Sequence, residues 1–106
     1  MTPEELAIKI KETQGLLVYF KNDFCGPCVA LRPKVDDLMQ SKFPKMEMVI
    51  VDSFENPSLA GKYNVFGNPT LLVFFEEREY IRKSKYISMP ELQSEIERYY
   101  KMVFEA

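Results

Sequence analysis

At 106 residues the chain has the length of one domain, long enough to bury a core without a covalent staple. Apolar residues make up 46% and charged residues 28%, the balance of a globular protein. A net charge of −2 gives no electrostatic case for nucleic-acid or membrane binding, and the absence of histidine removes Cys–His pairs, Ser–His–Asp triads and histidine metal ligands.

No apolar run reaches the length of a membrane span, and Met1-Thr2-Pro3-Glu4-Glu5 lacks the basic region and apolar core of a signal peptide. The expectation is a cytosolic, monomeric protein in a single domain over residues 1–106. In chain order, Thr2-Pro3-Glu4-Glu5 reads as a capped helix start, with Leu6, Ala7 and Ile10 on its apolar face and Gly15 as its end. Leu16 to Phe20 is an unbroken apolar run, as suits a central strand covered on both faces. A second helix is expected from Pro27 to Lys42, with Leu31, Val35, Leu38 and Met39 inward and a kink at Pro33.

Met46 to Asp52 reads as a second strand, and Asn56-Pro57-Ser58 opens a short helix reaching about Tyr63. Thr70 to Phe75 is a third strand. Glu76-Glu77-Arg78-Glu79 makes a turn, and Tyr80 to Tyr86 returns as an antiparallel edge strand. Ser88-Met89-Pro90-Glu91 is a second capping box, followed by a helix with Leu92, Ile96, Tyr99 and Val103 as its buried stripe. The order α-β-α-β-α-β-β-α implies an α/β fold: a four-stranded mixed sheet with helices on both faces. The clusters at Glu76–Glu79 and Arg82–Lys85 read as solvated hairpin faces, and Met46, Met48, Met89 and Met102 as core filling.

The two cysteines of the chain sit at Cys25-Gly26-Pro27-Cys28, where the first strand gives way to the second helix. Zinc needs about four ligands, and no further Cys or His is available, so redox chemistry is the stronger reading of the pair. Cys25 precedes the helix and sees the free N–H groups of its first turn, which favour a thiolate, so it is expected to attack. Cys28 lies one turn inside, is expected to be more buried, and would resolve the mixed disulfide. Gly26 and Pro27 keep the ring small and the helix start rigid. Phe24 is either a partly exposed wall beside Cys25 or a core residue.

Phe24-Cys25-Gly26-Pro27-Cys28, with Pro33 five residues on and Asn68-Pro69-Thr70 ahead of a second apolar strand, resembles the thioredoxin family from about Pro3 to the C-terminus. The resemblance implies a thioredoxin-like fold whose usual N-terminal strand is absent here. It also implies a cis bond before Pro69 and a backbone at Asn68 that pairs with an extended substrate. It implies disulfide-containing protein clients and a thioredoxin-reductase-like electron donor, with no cofactor or metal in the chain itself. Four positions depart from the family. Phe24 stands where Trp is usual. Tyr19 and Ile50 stand where a buried Asp and a Lys are usual, which leaves Asp23 and Asp52 as the nearest carboxylates to the dithiol. Lys85 stands where a glycine lines the substrate groove, making it less flat and more basic. A thioredoxin-fold binding or assembly module with weak or regulatory redox activity is the alternative, as is a dedicated partner of one enzyme.

Overall fold

A computed structural model describes residues 1–105. Its elements are α1 (Pro3–Glu12), β1 (Gly15–Lys21), α2 (Gly26–Lys42), β2 (Glu47–Asp52), α3 (Pro57–Lys62), β3 (Thr70–Phe75), β4 (Arg78–Ser84) and α4 (Met89–Phe104). The sheet order is β2-β1-β3-β4, with β1 parallel to β2 and antiparallel to β3, and β4 antiparallel to β3. This is the expected mixed sheet, with β1 and β3 central and β4 on an edge.

Local chemistry sets the helix starts. Thr2 accepts from the Glu5 N–H at 3.1 Å, and the Glu5 carboxylate accepts from the Thr2 N–H at 3.0 Å. Two donors that a helix start leaves unpaired are thus satisfied. At α4 half of the expected box forms: Ser88 accepts from the Glu91 N–H, but the Glu91 carboxylate instead accepts from Lys83 at 3.0 Å.

Alternation along β1 divides the core into two layers. Leu17 and Tyr19 face α2 and α4, among Val35, Leu38, Met39, Leu92, Ile96 and Tyr100. Leu16, Val18 and Phe20 face α1 and α3, among Leu6, Ile10 and Leu59. Each such buried aliphatic side chain contributes on the order of 1.5–3 kcal/mol.

Several local expectations are corrected. Gly15 opens β1 instead of ending α1. A Cβ there would lie 2.9 Å from Met46 Cγ and 3.0 Å from Phe104 Cε2, so the close approach of neighbours is what requires glycine. The buried tyrosine of α4 is Tyr100; Tyr99 is half-buried and stacks on Tyr80 at 4.7 Å between ring centroids. Leu31 and Val103 are only partly buried, and Met102 is exposed. Pro33 lies inside α2, as expected.

The β3–β4 turn is tighter than four residues. Glu76 and Glu77 alone connect the strands, with φ of 51° and 74°, so β4 begins at Arg78 and not at Tyr80. A two-residue hairpin of this hand needs positive φ at both positions, which Asn-Gly adopts readily and glutamate does not. The double variant Glu76→Asn/Glu77→Gly is therefore expected to raise unfolding stability by about 1 kcal/mol. Urea denaturation reads this directly; a midpoint at or below that of the parent would contradict it.

Candidate functional site

The register brings four connections to one end of the sheet. Parallel pairing of β1 and β2 ends at Lys21 against Asp52, so Asn22–Cys25 and Ser53–Phe54 leave the sheet together. Antiparallel pairing sets Phe20 against Thr70 and Thr70 against Ser84, which adds Asn68–Pro69 and Lys85 to the same end. Ligand sites in open α/β sheets form at the carboxyl ends of parallel strands, as here.

Asn22 shapes the approach to the cysteines. Its side chain accepts from the Phe24 N–H at 2.9 Å and its carbonyl from the Cys25 N–H at 3.2 Å, a tight polar turn. Cys25 then takes the N-cap position of α2, with extended backbone, and its Sγ accepts from the Cys28 N–H at 3.1 Å. A sulfur thus fills the place usually taken by a serine or aspartate oxygen. Gly26 and Pro27 form the exposed first turn, and a Cβ on Gly26 would meet nothing within 4 Å. Cys25 and Cys28 are joined as a disulfide across a Cα–Cα distance of 5.3 Å. Cys25 is partly exposed, whereas Cys28 is 3% exposed.

Phe24 is 86% exposed, which removes the core reading of it. It meets Phe54, itself 74% exposed, edge to face with ring centroids 6.1 Å apart. The next contact along the rim is from Ser53, which donates to the Asn68 side chain at 3.0 Å. Ser53 and Phe54 therefore bridge the cysteine loop and the Pro69 loop. Sequence reasoning missed both, because only the β1–β2 register reveals where that loop lies.

The Asn68–Pro69 bond is cis. Among the described residues, no loop backbone hydrogen bond engages the N–H or C=O of Asn68. Lys85, with φ of 64°, donates its N–H to the Pro69 carbonyl at 2.9 Å. Its side chain runs beside Gly67, where a Cβ would lie 3.5 Å from Lys85 Cε. A pocket lined by Phe66, Gly67, Thr70 and Lys85 continues from this point. Lysine occupies a conformation there that glycine would adopt without strain.

Tyr19 lies on the α2 side of β1, fully buried, and its hydroxyl donates to the Cys28 carbonyl at 2.8 Å. Burial pushes the phenol above its ordinary pKa; Arg32 opposes this and Asp36 reinforces it. Ile50 pairs with Tyr19 across the sheet and carries no charge. Asp52 is no free base. The Glu55 N–H foremost, with Lys21 and the Phe54 N–H, holds its carboxyl below the usual range against an opposing effect of burial. Asp23 is exposed and accepts from Lys21 at 2.8 Å. Among the described residues no cluster of acidic or cysteine side chains could hold a metal ion.

A disulfide across the first turn of a helix, with one sulfur reachable and the other buried, is built for thiol–disulfide exchange: the outer sulfur can be attacked or attack, and the inner one closes the ring. Together with the sheet order, this defines a thioredoxin-fold protein carrying a C-x-x-C disulfide. The thioredoxin family model matches residues 1–98, and the chain belongs to that family. It is 39% identical over 59 residues to thioredoxin 1 of Synechococcus elongatus, a match covering 56% of this chain and 55% of that protein. The chain thus spans about half the length of that curated relative. It is 24% identical over 93 residues to the thioredoxin-like protein YdfQ of Bacillus subtilis, covering 88% of this chain and 82% of the other. Among solved structures, a mutant thioredoxin from Halobacterium salinarum superposes with a TM-score of 0.80 at 30% identity, over 91% of this chain and 83% of that one.

The Tyr19 tie has a measurable consequence. Tyr19→Phe removes one donor from a buried carbonyl while keeping the ring, and is expected to cost about 1 kcal/mol of stability. Thermal or urea unfolding of the oxidised protein checks this. An unchanged stability would mean that the hydroxyl contributes nothing to holding the start of α2.

Proposed function

We propose that the protein is a protein-disulfide oxidoreductase of the reducing kind. Reduced Cys25 attacks a client disulfide, one client sulfur leaves as thiolate, and a mixed disulfide joins Cys25 to the client. Cys28 then attacks Cys25 Sγ, the client leaves reduced, and the Cys25–Cys28 disulfide remains. The observation that carries this reading is the N-cap role of Cys25, whose sulfur accepts from the Cys28 N–H at 3.1 Å. A hydrogen-bond donor and the positive end of α2 together stabilise a thiolate at that position.

The surroundings support a protein client in place of a small molecule. The exposed Phe24–Phe54 pair offers an apolar wall on one side of the dithiol. On the other side Asn68 has backbone groups suited to pairing with an extended strand, and Lys85 adds positive charge. Pro33 and Tyr19 act on the dithiol only through α2, as positioning residues. The oxidised protein is restored by an electron donor, a thioredoxin-reductase-like flavoprotein on the family resemblance, and a reducing compartment such as the cytosol is where such a cycle would run as a monomer.

Insulin reduction in the presence of dithiothreitol tests the reading. Wild-type protein should precipitate insulin well ahead of dithiothreitol alone, Cys25→Ser should not, and Cys28→Ser should accumulate client mixed disulfides on non-reducing gels. Wild-type activity equal to the reagent background would favour the binding-module alternative. Client trapping by Cys25→Ser in place of Cys28→Ser would reverse the order of attack.

A further inference from the structure

Lys85 sits against the cis-proline loop, on the side of the dithiol away from Phe24 and Phe54. Its N–H donates to the Pro69 carbonyl at 2.9 Å, and its stem passes over Gly67, where a Cβ would lie 3.5 Å from Lys85 Cε. With Phe66, Gly67, Thr70, Arg82 and Ser84 it lines a pocket of about 220 Å³. Among the described residues the Lys85 ammonium makes no ion pair. The other cation of the wall is committed: Arg82 pairs with Glu79 at 2.9 Å and donates to the Tyr63 and Asn64 carbonyls at 2.8 and 3.2 Å. No carboxylate lines this pocket. The opposite flank of the dithiol has the reverse balance, because Lys21 there faces both Asp23 and Asp52. Charge therefore changes sign across the site, with an uncompensated cation on the Pro69 side. Lysine also holds its place at φ of 64°, a backbone region that costs a residue with a Cβ and that glycine occupies freely. An ammonium is what this residue supplies there in exchange for the strain.

We propose that Lys85 is a specificity-determining residue: it selects protein clients that carry an aspartate or glutamate two residues from the reacting cysteine. The proposal rests on the exchange reaction above and adds no covalent step to it. A client strand paired with the Asn68 backbone turns alternate side chains to the face that carries its cysteine. On the Pro69 side of the dithiol, such a side chain meets Lys85. An acidic one gains a partner that is not already taken; a basic one is repelled. Rim charges of this kind act mainly on the rate of encounter. An exposed pair is worth about two- to fivefold.

The test uses reduced protein and synthetic peptides whose single cysteine is capped as a mixed disulfide with thionitrobenzoate. The Cys25 thiolate attacks the peptide sulfur, and thionitrobenzoate leaves as a coloured thiolate whose release gives the second-order rate. The peptides carry Glu or Gln two residues before the cysteine, or two residues after it. Dividing the Glu/Gln rate ratio of wild type by that of Lys85→Gln cancels the intrinsic reactivity of each peptide. The quotient should be about two- to fivefold for one placement of the glutamate and near one for the other. It should fall towards one in molar salt, where the Debye length is about 3 Å. Lys85→Glu should lower the Glu/Gln ratio below that of Lys85→Gln. Lys85→Gly, which suits the positive φ, should match Lys85→Gln, so that lost charge and not a distorted loop is what is read. Lys11→Gln removes the same charge at the far end of the sheet, beside Glu76 and Glu77, and should keep the wild-type ratio. A quotient near one at both placements would overturn the proposal. Equal quotients above one at both placements, or loss of selection in Lys11→Gln, would overturn it too, by making the effect a field of the whole molecule. Release from no peptide would contradict the exchange reading and this inference with it, whereas release without charge selection contradicts this inference alone.

Discussion

The 3.1 Å hydrogen bond from the Cys28 N–H to Cys25 Sγ is the contact on which the site depends. It makes a sulfur the N-cap of a 17-residue helix. Three consequences follow from that one placement. The first turn of α2 gains an acceptor that it would otherwise lack. The same sulfur gains a donor and the favourable end of the helix dipole, which act more strongly on a thiolate than on a disulfide sulfur. Cys28, at the third helical position, is carried inward to where only a pocket reaches it. Attack and resolution are thus separated by one helical turn, with no other catalytic side chain required for the first.

The rest of the fold holds that helix start in place and surrounds it with contacts for a partner. Alternation on β1 puts Tyr19 under α2, where its hydroxyl ties the sheet to the Cys28 carbonyl. Strand register delivers the Ser53–Phe54, Asn68–Pro69 and Lys85 segments to the same end. Ser53 bonds Asn68 and Phe54 meets Phe24, so the rim of the site is one connected set of loops. Asp52 anchors this rim by accepting from two successive backbone N–H groups and from Lys21. That use of Asp52 is also why it is unavailable as a proton acceptor.

Much of this was legible in the residues. Thr2-Pro3-Glu4-Glu5 and the apolar runs 16–20 and 70–75 marked their elements because capping chemistry and continuous burial leave local traces. Cys25-Gly26-Pro27-Cys28 marked the site because the spacing of the pair carries its own geometry. The cis bond at Pro69 was expected only through family resemblance, since Asn-Pro-Thr alone reads equally well as an ordinary turn. Other features left no local trace. Glutamate carries no signal for the positive φ that Glu76 and Glu77 adopt. The partner of Tyr19 is a backbone carbonyl, which no side-chain pattern records. Phe54 belongs to the site only because β2 ends beside β1, and the Ser88 box lost its second half to Lys83, a residue on another element.

The most direct test of this account is ionisation of the two thiols in the reduced protein, followed separately by thiolate absorbance in Cys28→Ser and Cys25→Ser. The N-cap placement predicts that Cys25 ionises at clearly lower pH than an ordinary cysteine thiol, near 8.5, while buried Cys28 ionises above it. Equal titration of the two, or an earlier ionisation of Cys28, would contradict the claim that the helix start of α2 activates Cys25.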